Sequence, residues 1–149
     1  MFRGGGALII KNAKRGKEKP KYNGITFDSD LELRYYRDVL LPAFEVGEID
    51  DLQVHPTVIL AESVRYMGKK KQPVRYTLDF KFTGPCGREV WVDIKGFATS
   101  THNLKRRLFQ TYHHDKVMYW VAYSKMDGGW IEYDRLQAAR RKRKKAKGA

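Results

Sequence analysis

The spacing of hydrophobic residues changes between a helical and a strand period along the chain. Apolar residues recur every three or four positions over residues 31–44, which predicts a first helix with its N-cap at Asp28-Ser29. The apolar positions of this helix are Leu33, Tyr36, Leu40 and Phe44. Strands are predicted for four later segments, namely residues 52–60, 62–67, 74–82 and 89–95.

The second half of the chain returns to the helical period and then alternates again. A second helix is predicted over residues 101–113, with Leu104, Leu108 and Tyr112 on its apolar stripe, followed by a strand over residues 116–123. A last helix is expected to start near Tyr133 and to run into the C-terminal tail. Strand, helix and strand of these lengths imply a right-handed parallel crossover. The predicted order is α-β-β-β-β-α-β-α, an α/β (α+β) fold with a mixed β-sheet core flanked by helices.

Charge divides the chain into three parts. The 149 residues include 30 Lys and Arg against 17 Asp and Glu, a net charge of +13. Residues 1–21 and 140–149 carry this entire excess, and the stretch between them has equal numbers of basic and acidic residues. We therefore expect a flexible basic N-terminal arm over 1–21, a globular domain over 22–139 and a basic tail over 140–149.

The two basic segments predict a polyanionic partner. Such segments bind nucleic acid through counterion release, without reading its sequence. An anionic membrane surface fits less well, because neither segment has an amphipathic face with aromatic residues. A tail that only increases solubility is the remaining alternative.

Composition also limits the cellular location and the kind of metal site. The single cysteine, Cys86, excludes an internal disulfide framework and a multi-cysteine zinc site. No apolar stretch has the roughly 18 residues of a membrane span. The stretch Ala7–Ile10 is too short for the core of a signal peptide. We expect a reducing, cytoplasmic location, the host cytoplasm if the gene belongs to a phage, and no membrane association.

Two predicted strands carry acidic residues where a simple core would not place them. Asp93 and Lys95 are two residues apart and should project from one face of their strand. Asp79 is out of phase with its apolar neighbours, and the short turn at 84–87 makes the two strands adjacent, so Asp79 and Asp93 can lie side by side. Two adjacent carboxylates repel unless a cation joins them, and Mg²⁺ prefers such oxygen ligands. With Lys95 beside them to offset phosphate charge, the set predicts metal-assisted phosphodiester hydrolysis.

Glu32, on the first helix, has two interpretations. It lies on the same side as the apolar residues that follow it, so it can belong to the acidic site as a ligand or a near neighbour. The spacing Ser29-x-x-Glu32 also fits a helix capping box, a purely structural role.

These residues resemble a known nuclease superfamily in their order along the chain. Glu32, then Asp79, then Asp93-Ile94-Lys95 are similar to the PD-(D/E)xK nucleases. The resemblance is closer to a family of small phage endonucleases long catalogued as a domain of unknown function, and it covers about residues 22–115. Three blocks carry it: Phe27-Asp28-Ser29-x-x-Glu32, Tyr76-Thr77-x-Asp79-Phe80 and Val92-Asp93-Ile94-Lys95-Gly96. Leu78 departs from the pattern, since proline often precedes the first aspartate.

The resemblance implies a restriction-endonuclease-like fold and a Mg²⁺-dependent DNA endonuclease in which Mn²⁺ can replace Mg²⁺. Asp79 and Asp93 are then metal ligands, Lys95 is the catalytic lysine and the backbone carbonyl of Ile94 completes the metal shell. Similarity to phage junction-resolving enzymes further implies branched DNA, such as a Holliday junction, as substrate, a homodimer, and no small-molecule cofactor. Two alternatives remain, a non-catalytic DNA-binding or packaging accessory protein and a generic nicking nuclease that acts on host DNA.

Basic residues outside the acidic cluster are candidates for DNA contacts. They fall in a predicted hairpin tip, on the second helix and in the tail: Lys69, Lys70, Lys71, Lys105, Arg106, Arg107, Arg140, Arg141, Lys142 and Arg143. For the hairpin and the helix, a plain solvent-exposed surface is the alternative interpretation. The pair His113-His114 is not expected to bind metal, because neighbouring residues on a helix point apart.

Overall fold

The computed structural model describes residues 16–148. Residues 1–15 of the predicted basic arm, and Ala149, lie outside this range. In chain order the elements are β1 (Lys21–Tyr22), β2 (Ile25–Thr26), α1 (Asp30–Tyr35), a π-helical turn (Tyr36–Leu40), α2 (Leu41–Glu45), β3 (Asp50–Val54), β4 (Thr57–Ala61), β5 (Val64–Tyr66), β6 (Lys69–Lys71), β7 (Val74–Thr77), β8 (Phe80–Thr83), β9 (Glu89–Ile94), α3 (Ser100–Tyr112), β10 (Val117–Ser124), a 3₁₀ turn (Lys125–Asp127), β11 (Gly129–Glu132) and α4 (Tyr133–Lys147).

A five-stranded mixed sheet forms the centre of the fold. Its spatial order is β11-β10-β9-β8-β3, with β9 and β10 parallel and the other neighbouring pairs antiparallel. Helix α3 connects the two parallel strands, as the strand–helix–strand pattern predicts. The predicted fold class, a mixed sheet flanked by helices, is confirmed.

Buried residues form two clusters that involve alternate residues of strand β9. One cluster includes Phe27, Tyr36, Phe80 and Val92, and the first helix packs against it. The other includes Leu60, Leu78, Trp91 and Phe109, and involves helix α3. Successive side chains of a strand point to opposite faces, so Val92 and Trp91 belong to different clusters.

The first helix is continuous from Asp30 to Glu45 but contains the π-helical turn. The π-helical turn contains one residue more than an α-helical turn, so the residues after it are rotated around the helix axis. Tyr36 and Leu40 are buried as predicted, whereas Phe44 is exposed. The predicted apolar stripe is therefore correct up to the π turn and wrong after it.

Two predicted strands, residues 52–60 and 74–82, are each divided in two. The antiparallel ribbon that they form bends where His55-Pro56 faces Leu78-Asp79, so that β3 and β8 join the main sheet while β4 and β7 pair separately. Backbone hydrogen bonds continue across the bend, from His55 N–H to the Asp79 carbonyl (2.8 Å) and from Leu78 N–H to the Pro56 carbonyl (2.9 Å). His55 has a left-handed backbone with φ of 55°. The prediction that residues 74–82 form one regular strand with a single apolar face is wrong for this reason.

Helix α3 and the elements near the two ends of the described chain differ from the sequence prediction in smaller ways. Helix α3 buries Phe109, while Leu104 and Tyr112 of the predicted stripe are exposed. Strand β11 and the β1–β2 hairpin were not predicted. Helix α4 begins at Tyr133 as expected and continues to Lys147. No helix in residues 16–148 is long and apolar enough to cross a membrane.

Candidate functional site

Four charged side chains are buried together at one end of the sheet. Glu32, Asp79, Asp93 and Lys95 are each less than a tenth exposed, and no other charged residue among those described is buried to that extent. They line one open cleft, together with residues of β7 and α3. Burial of a charge is costly unless other charges or hydrogen bonds compensate it, so this concentration indicates a functional site.

The bend in the ribbon positions Asp79. Its backbone N–H donates to the carbonyl of Val92 (3.1 Å), which attaches the bend to the neighbouring strand β9. Its carboxylate accepts a hydrogen bond from the backbone N–H of Ile94 (2.6 Å). Asp79 is thus fixed against the strand that carries Asp93, as the proposed adjacency of the two aspartates requires.

Asp93 is held by two donors on the same carboxylate oxygen. Tyr76 donates its hydroxyl proton to Oδ2 of Asp93 (2.5 Å), and Nζ of Lys95 lies 2.8 Å from that oxygen. The indole N–H of Trp120 donates in turn to the Tyr76 hydroxyl (3.0 Å). Both of these contacts fall on Oδ2, and the carboxyl group of Asp79 is also close enough to hydrogen-bond with Asp93. Oδ1 takes no part in the contacts with Tyr76 and Lys95, so it is the oxygen of Asp93 that we expect a cation to bind.

Lys95 lies at the end of the parallel ladder. Its backbone N–H donates to the carbonyl of Val121 (2.8 Å), so the residue is still fixed by the sheet. Its ammonium group lies 5.3 Å from the centre of the Trp120 ring, within cation–π range. As predicted from their spacing, Lys95 and Asp93 project to the same side of strand β9 and contact each other.

Burial is the main influence on the pKa values of two acids in the cleft, Asp79 and Glu32. Burial raises the pKa of Asp79 to about 9, and its hydrogen bond with Asp93 and repulsion from Asp93 and Glu32 act in the same direction. Burial likewise raises the pKa of Glu32. Without a further cation, the cluster therefore retains a proton that a carboxyl group in water would lose.

Glu32 takes part in a helix cap and also lines the cleft. Its backbone N–H donates to Oγ of Ser29 (3.2 Å), and its carboxylate accepts from the Ser29 hydroxyl (3.3 Å) and from the backbone N–H of Asp28 (3.1 Å). This differs from the usual capping box, in which the carboxylate would accept from the N–H of Ser29 itself. Capping does not exclude the ligand role, because a carboxylate oxygen has more than one lone pair.

A histidine that the sequence did not single out lies beside Glu32. Nε2 of His55 is 3.7 Å from Oε2 of Glu32 and 3.8 Å from Oδ2 of Asp28, and it has no hydrogen-bond partner among the described residues. The three residues bring one potential ligand atom each within 4.8 Å of one another. Asp28 is also paired with Lys19 at 2.6 Å, so part of its charge is already compensated.

Helix α3 contributes part of the cleft wall. Lys105 and His102 line it, and Arg75 lines it from strand β7. Burial lowers the pKa of His102, and the nearby Lys95 ammonium lowers it further. The neutral imidazole accepts a hydrogen bond from the backbone N–H of Thr99, which closes the cap of α3.

The remaining candidate DNA contacts lie at different places. Arg106 forms a two-point ion pair with Asp134 (3.0 and 2.5 Å) and stacks over Trp120, so it joins α3 to α4, while Arg107 is exposed. Lys69, Lys70 and Lys71 are exposed on strand β6. Arg140, Arg141 and Lys142 are exposed on α4, and Arg143 is paired with Asp127 (2.8 and 3.1 Å).

Besides His55, sequence reasoning missed the roles of Tyr76 and Trp120 at the site. Regular alternation assigned Tyr76 to the same apolar face as Phe80, opposite to Asp79. The bend at Leu78-Asp79 removes that alternation and brings the tyrosine hydroxyl into the acidic cluster. The position of Tyr76, three residues before Asp79, indicates a contact with the acidic cluster only when the bend is known.

The residues present fit a hard divalent cation. The cleft combines three carboxylates with the basic residues Arg75, Lys95 and Lys105. The raised pKa of Asp79, caused first by burial and then by Asp93 and Glu32, means that its charged form is poorly stabilised until a cation is added. Asp79 and Asp93 supply oxygen ligands of the kind that Mg²⁺ and Mn²⁺ prefer.

Fold and site together define an α/β domain with a buried carboxylate–lysine cluster in an open cleft. The chain belongs to the family described as "Protein of unknown function (DUF1064)", whose sequence model matches residues 12–128. The match includes all four buried charged residues and ends before α4 and the basic tail. No curated protein and no solved structure matches the chain.

Proposed function

We propose that this chain is a Mg²⁺-dependent DNA endonuclease, similar to PD-(D/E)xK enzymes, that acts on branched DNA as a homodimer. The single observation that carries the proposal is the buried cluster of Asp79, Asp93 and Lys95 at the base of an open cleft. An ordinary surface ion pair needs neither this burial nor a second carboxylate. A cluster of this composition can hold the cation that metal-assisted hydrolysis of a phosphodiester uses.

Asp79 and Asp93 would hold the cation, with the carbonyl of Ile94 as the further ligand that the resemblance implies. The bound cation would polarise the phosphate and lower the pKa of a water molecule. Tyr76 fixes Asp93 by its hydrogen bond to Oδ2, which leaves Oδ1 for the cation. Glu32 would act as a further ligand or hold a water molecule at the edge of the cleft.

Lys95 would supply the positive charge next to the reacting phosphate. Its ammonium group touches Asp93, so it lies beside the cation position and can offset charge that develops on the phosphate oxygens. Hydrolysis adds water across one P–O bond, which leaves a phosphate on one end of the strand and a hydroxyl on the other. Lys105 and Arg75 at the cleft wall would bind flanking phosphates.

The preference for branched DNA rests on how this chain would bind its substrate. Basic segments bind the backbone without base readout, which suits a substrate defined by shape. Symmetric cutting of two strands favours two copies of the site related by a two-fold axis. Light scattering in the absence and presence of a junction measures the number of copies.

A cleavage assay tests the proposal. The purified chain is incubated with a four-way junction, a linear duplex and a single strand, each with Mg²⁺, with Mn²⁺ or with a chelator. We expect metal-dependent cleavage that is fastest on the junction. Asp93→Asn and Lys95→Ala should each reduce the rate at least about 100-fold, a typical loss for one charged active-site group. Asp38→Asn, a change at an exposed acid paired with Arg37, is the matched control and should keep the rate.

Each possible failure points to a different conclusion. No cleavage of any substrate with either metal would leave the non-catalytic DNA-binding protein as the better account. Equal rates on duplex and junction would instead favour a generic nicking nuclease. Unchanged rates in Asp93→Asn and Lys95→Ala would show that the active site lies elsewhere.

A further inference from the structure

Strands β5 and β6 form a hairpin that extends away from the domain. All twelve residues from Ala61 to Gln72 are exposed. The strands pair in antiparallel register, with Arg65 opposite Lys70 and Tyr66 opposite Lys69. The side chain of Arg65 folds back to the turn and donates to the carbonyl of Gly68 (3.2 Å), which braces the tip.

The residue at the tip of this hairpin is unfavourable for both folding and solubility. Met67 and Gly68 form a two-residue turn with φ of 46° and 74°. Two-residue turns with positive φ at both positions favour Asn-Gly or Gly-Gly, and an unbranched apolar side chain in the left-handed region is strained. Met67 is also 85% exposed, and the adjacent Tyr66 is 64% exposed. Neither the turn nor the core explains an apolar pair at this place.

Cations lie on both faces of the hairpin. Residues paired across antiparallel strands share a face, so Arg65 and Lys70 are on one face and Lys69 and Lys71 on the other. No acidic residue occurs between Ser63 and Pro73. A second copy of this hairpin would be repelled, whereas a strand of phosphates would be attracted to either face. A two-stranded ribbon also has the width that a DNA groove accommodates.

We propose that this hairpin recognises DNA branch points, with its cations on the phosphates and the Tyr66-Met67 tip packed on an exposed base-pair face. The inference rests on DNA being the substrate of the proposed nuclease. Inside a continuous duplex, insertion of an apolar side chain must first separate two stacked base pairs, which costs free energy. At a branch point the stack already ends, so the tip binds there without that cost. The tip thereby favours branched over continuous DNA without reading sequence.

The hairpin and the cleft are close enough to act on one DNA molecule. Strand β7 follows the hairpin directly, and Arg75 on it lines the cleft. Met67 and Arg75 are eight positions apart in the sequence. An extended chain of that length spans at most about 28 Å. This equals roughly eight base pairs at about 3.4 Å each, so a tip at the branch point would direct cleavage to bonds within that distance.

Met67→Asn tests the proposal with the turn preserved. Asn-Gly is a favoured pair for this turn, so the variant removes the apolar tip without breaking the hairpin, and its thermal midpoint should not fall. Met126→Asn is the matched control, because Met126 is also exposed and lies in the 3₁₀ turn. The probes are a four-way junction with 2-aminopurine at the branch point and a continuous duplex of the same composition, in buffer without divalent metal so that no strand is cut.

We expect Met67→Asn to bind the junction at least about 5-fold more weakly, because the variant loses the burial of an apolar side chain against the base pair. Its affinity for the duplex and that of Met126→Asn for both probes should equal those of the unmodified chain. The unmodified chain should change the 2-aminopurine fluorescence at the branch point, and Met67→Asn should not.

Three results would overturn the proposal. The first is equal affinity of Met67→Asn and the unmodified chain for the junction. The second is an equal loss on junction and duplex, which would make the hairpin a general phosphate contact. The third is a different oligomeric state of Met67→Asn and the unmodified chain, measured by light scattering, which would assign the tip to a contact between two chains. Because binding is measured without metal, absence of cleavage refutes the nuclease alone, and cleavage with no effect of Met67→Asn refutes the branch-point contact alone.

Discussion

Glu32 shows how one side chain serves two structural demands. Its backbone N–H and carboxylate complete the N-terminal cap of α1, and the same carboxylate lines the cleft that contains Asp79. The sequence left capping and metal binding as alternatives. In the structure the cap is formed, and the Glu32 carboxylate is still close enough to Asp79 to contribute to its raised pKa.

Glu32→Gln separates the two roles. The glutamine carbonyl can still accept from the N–H of Asp28, and its amide can donate to Oγ of Ser29, so the cap is kept and the unfolding free energy should change by less than about 0.5 kcal/mol. The negative charge is lost, so Mn²⁺ affinity measured by calorimetry and metal-dependent cleavage should fall at least about 10-fold. Glu32→Ala is the comparison: it keeps the backbone hydrogen bond to Ser29 but loses the two hydrogen bonds that the carboxylate accepts, at about 1 kcal/mol. Unchanged metal affinity in Glu32→Gln would restrict this residue to capping.

The shared side of Asp93 and Lys95 could be predicted from the sequence, whereas the contact of Tyr76 with Asp93 could not. Asp93 is on strand β9, and Lys95 directly follows the strand with its backbone N–H still bonded to Val121, so a period of two determines that they share a side. Tyr76 joins Asp93 only because the chain bends between β7 and β8. Periodicity assigns residues to faces within one element. A bend between two elements changes which way the later residues face, and the hydrophobic pattern does not show where such a bend occurs.

At the scale of elements, α4 combines a structural and a surface role. Leu136 is buried under the sheet, Asp134 holds Arg106 of α3, and Asp127 holds Arg143 further along α4. The basic tail over 140–147 is thus the continuation of a docked helix. Arg140, Arg141 and Lys142 remain exposed and available to a polyanion.

Neutralising these three exposed residues tests the tail without removing its anchor. We expect Arg140→Gln/Arg141→Gln/Lys142→Gln to weaken DNA binding and to reduce the log–log salt slope by up to about 0.9 per lost phosphate contact. Cleavage at saturating protein should be largely retained, because the tail is not part of the cleft. Circular dichroism and thermal unfolding check that α4 is intact, since Arg143 still pairs with Asp127. A collapse of the rate at saturation would instead assign the tail to the active site.

For the whole molecule, the excess charge and the proposed chemistry lie in separate regions. The net charge of +13 comes from the two ends of the sequence, while the stretch between them is neutral and buries three acids near one point. Such a cluster makes the stability of the metal-free domain depend on pH, because the folded and unfolded states bind different numbers of protons.

Asp79 determines the direction of that dependence. Folding raises its pKa to about 9, against about 3.9 for an aspartate in water, so between these values the folded state holds a proton that the unfolded state releases. The unfolding free energy without metal should therefore fall as pH rises from about 4 to 9. Urea unfolding at pH 5, 7 and 9 with a chelator measures this slope, and Asp79→Asn should flatten it while Asp38→Asn should not. Parallel slopes for Asp79→Asn and the unmodified chain would contradict the assignment.

By itself, the sequence determined the fold class, most of the element positions, the charge distribution and the shared side of Asp93 and Lys95. All of these follow from local periodicity and composition, which act over a few residues at a time. The tertiary structure decided the bend at His55-Pro56 and Leu78-Asp79, the hydrogen bond from Tyr76 to Asp93 and the burial of all four charged residues. These depend on how segments tens of residues apart pack together, and a one-dimensional pattern does not contain that information.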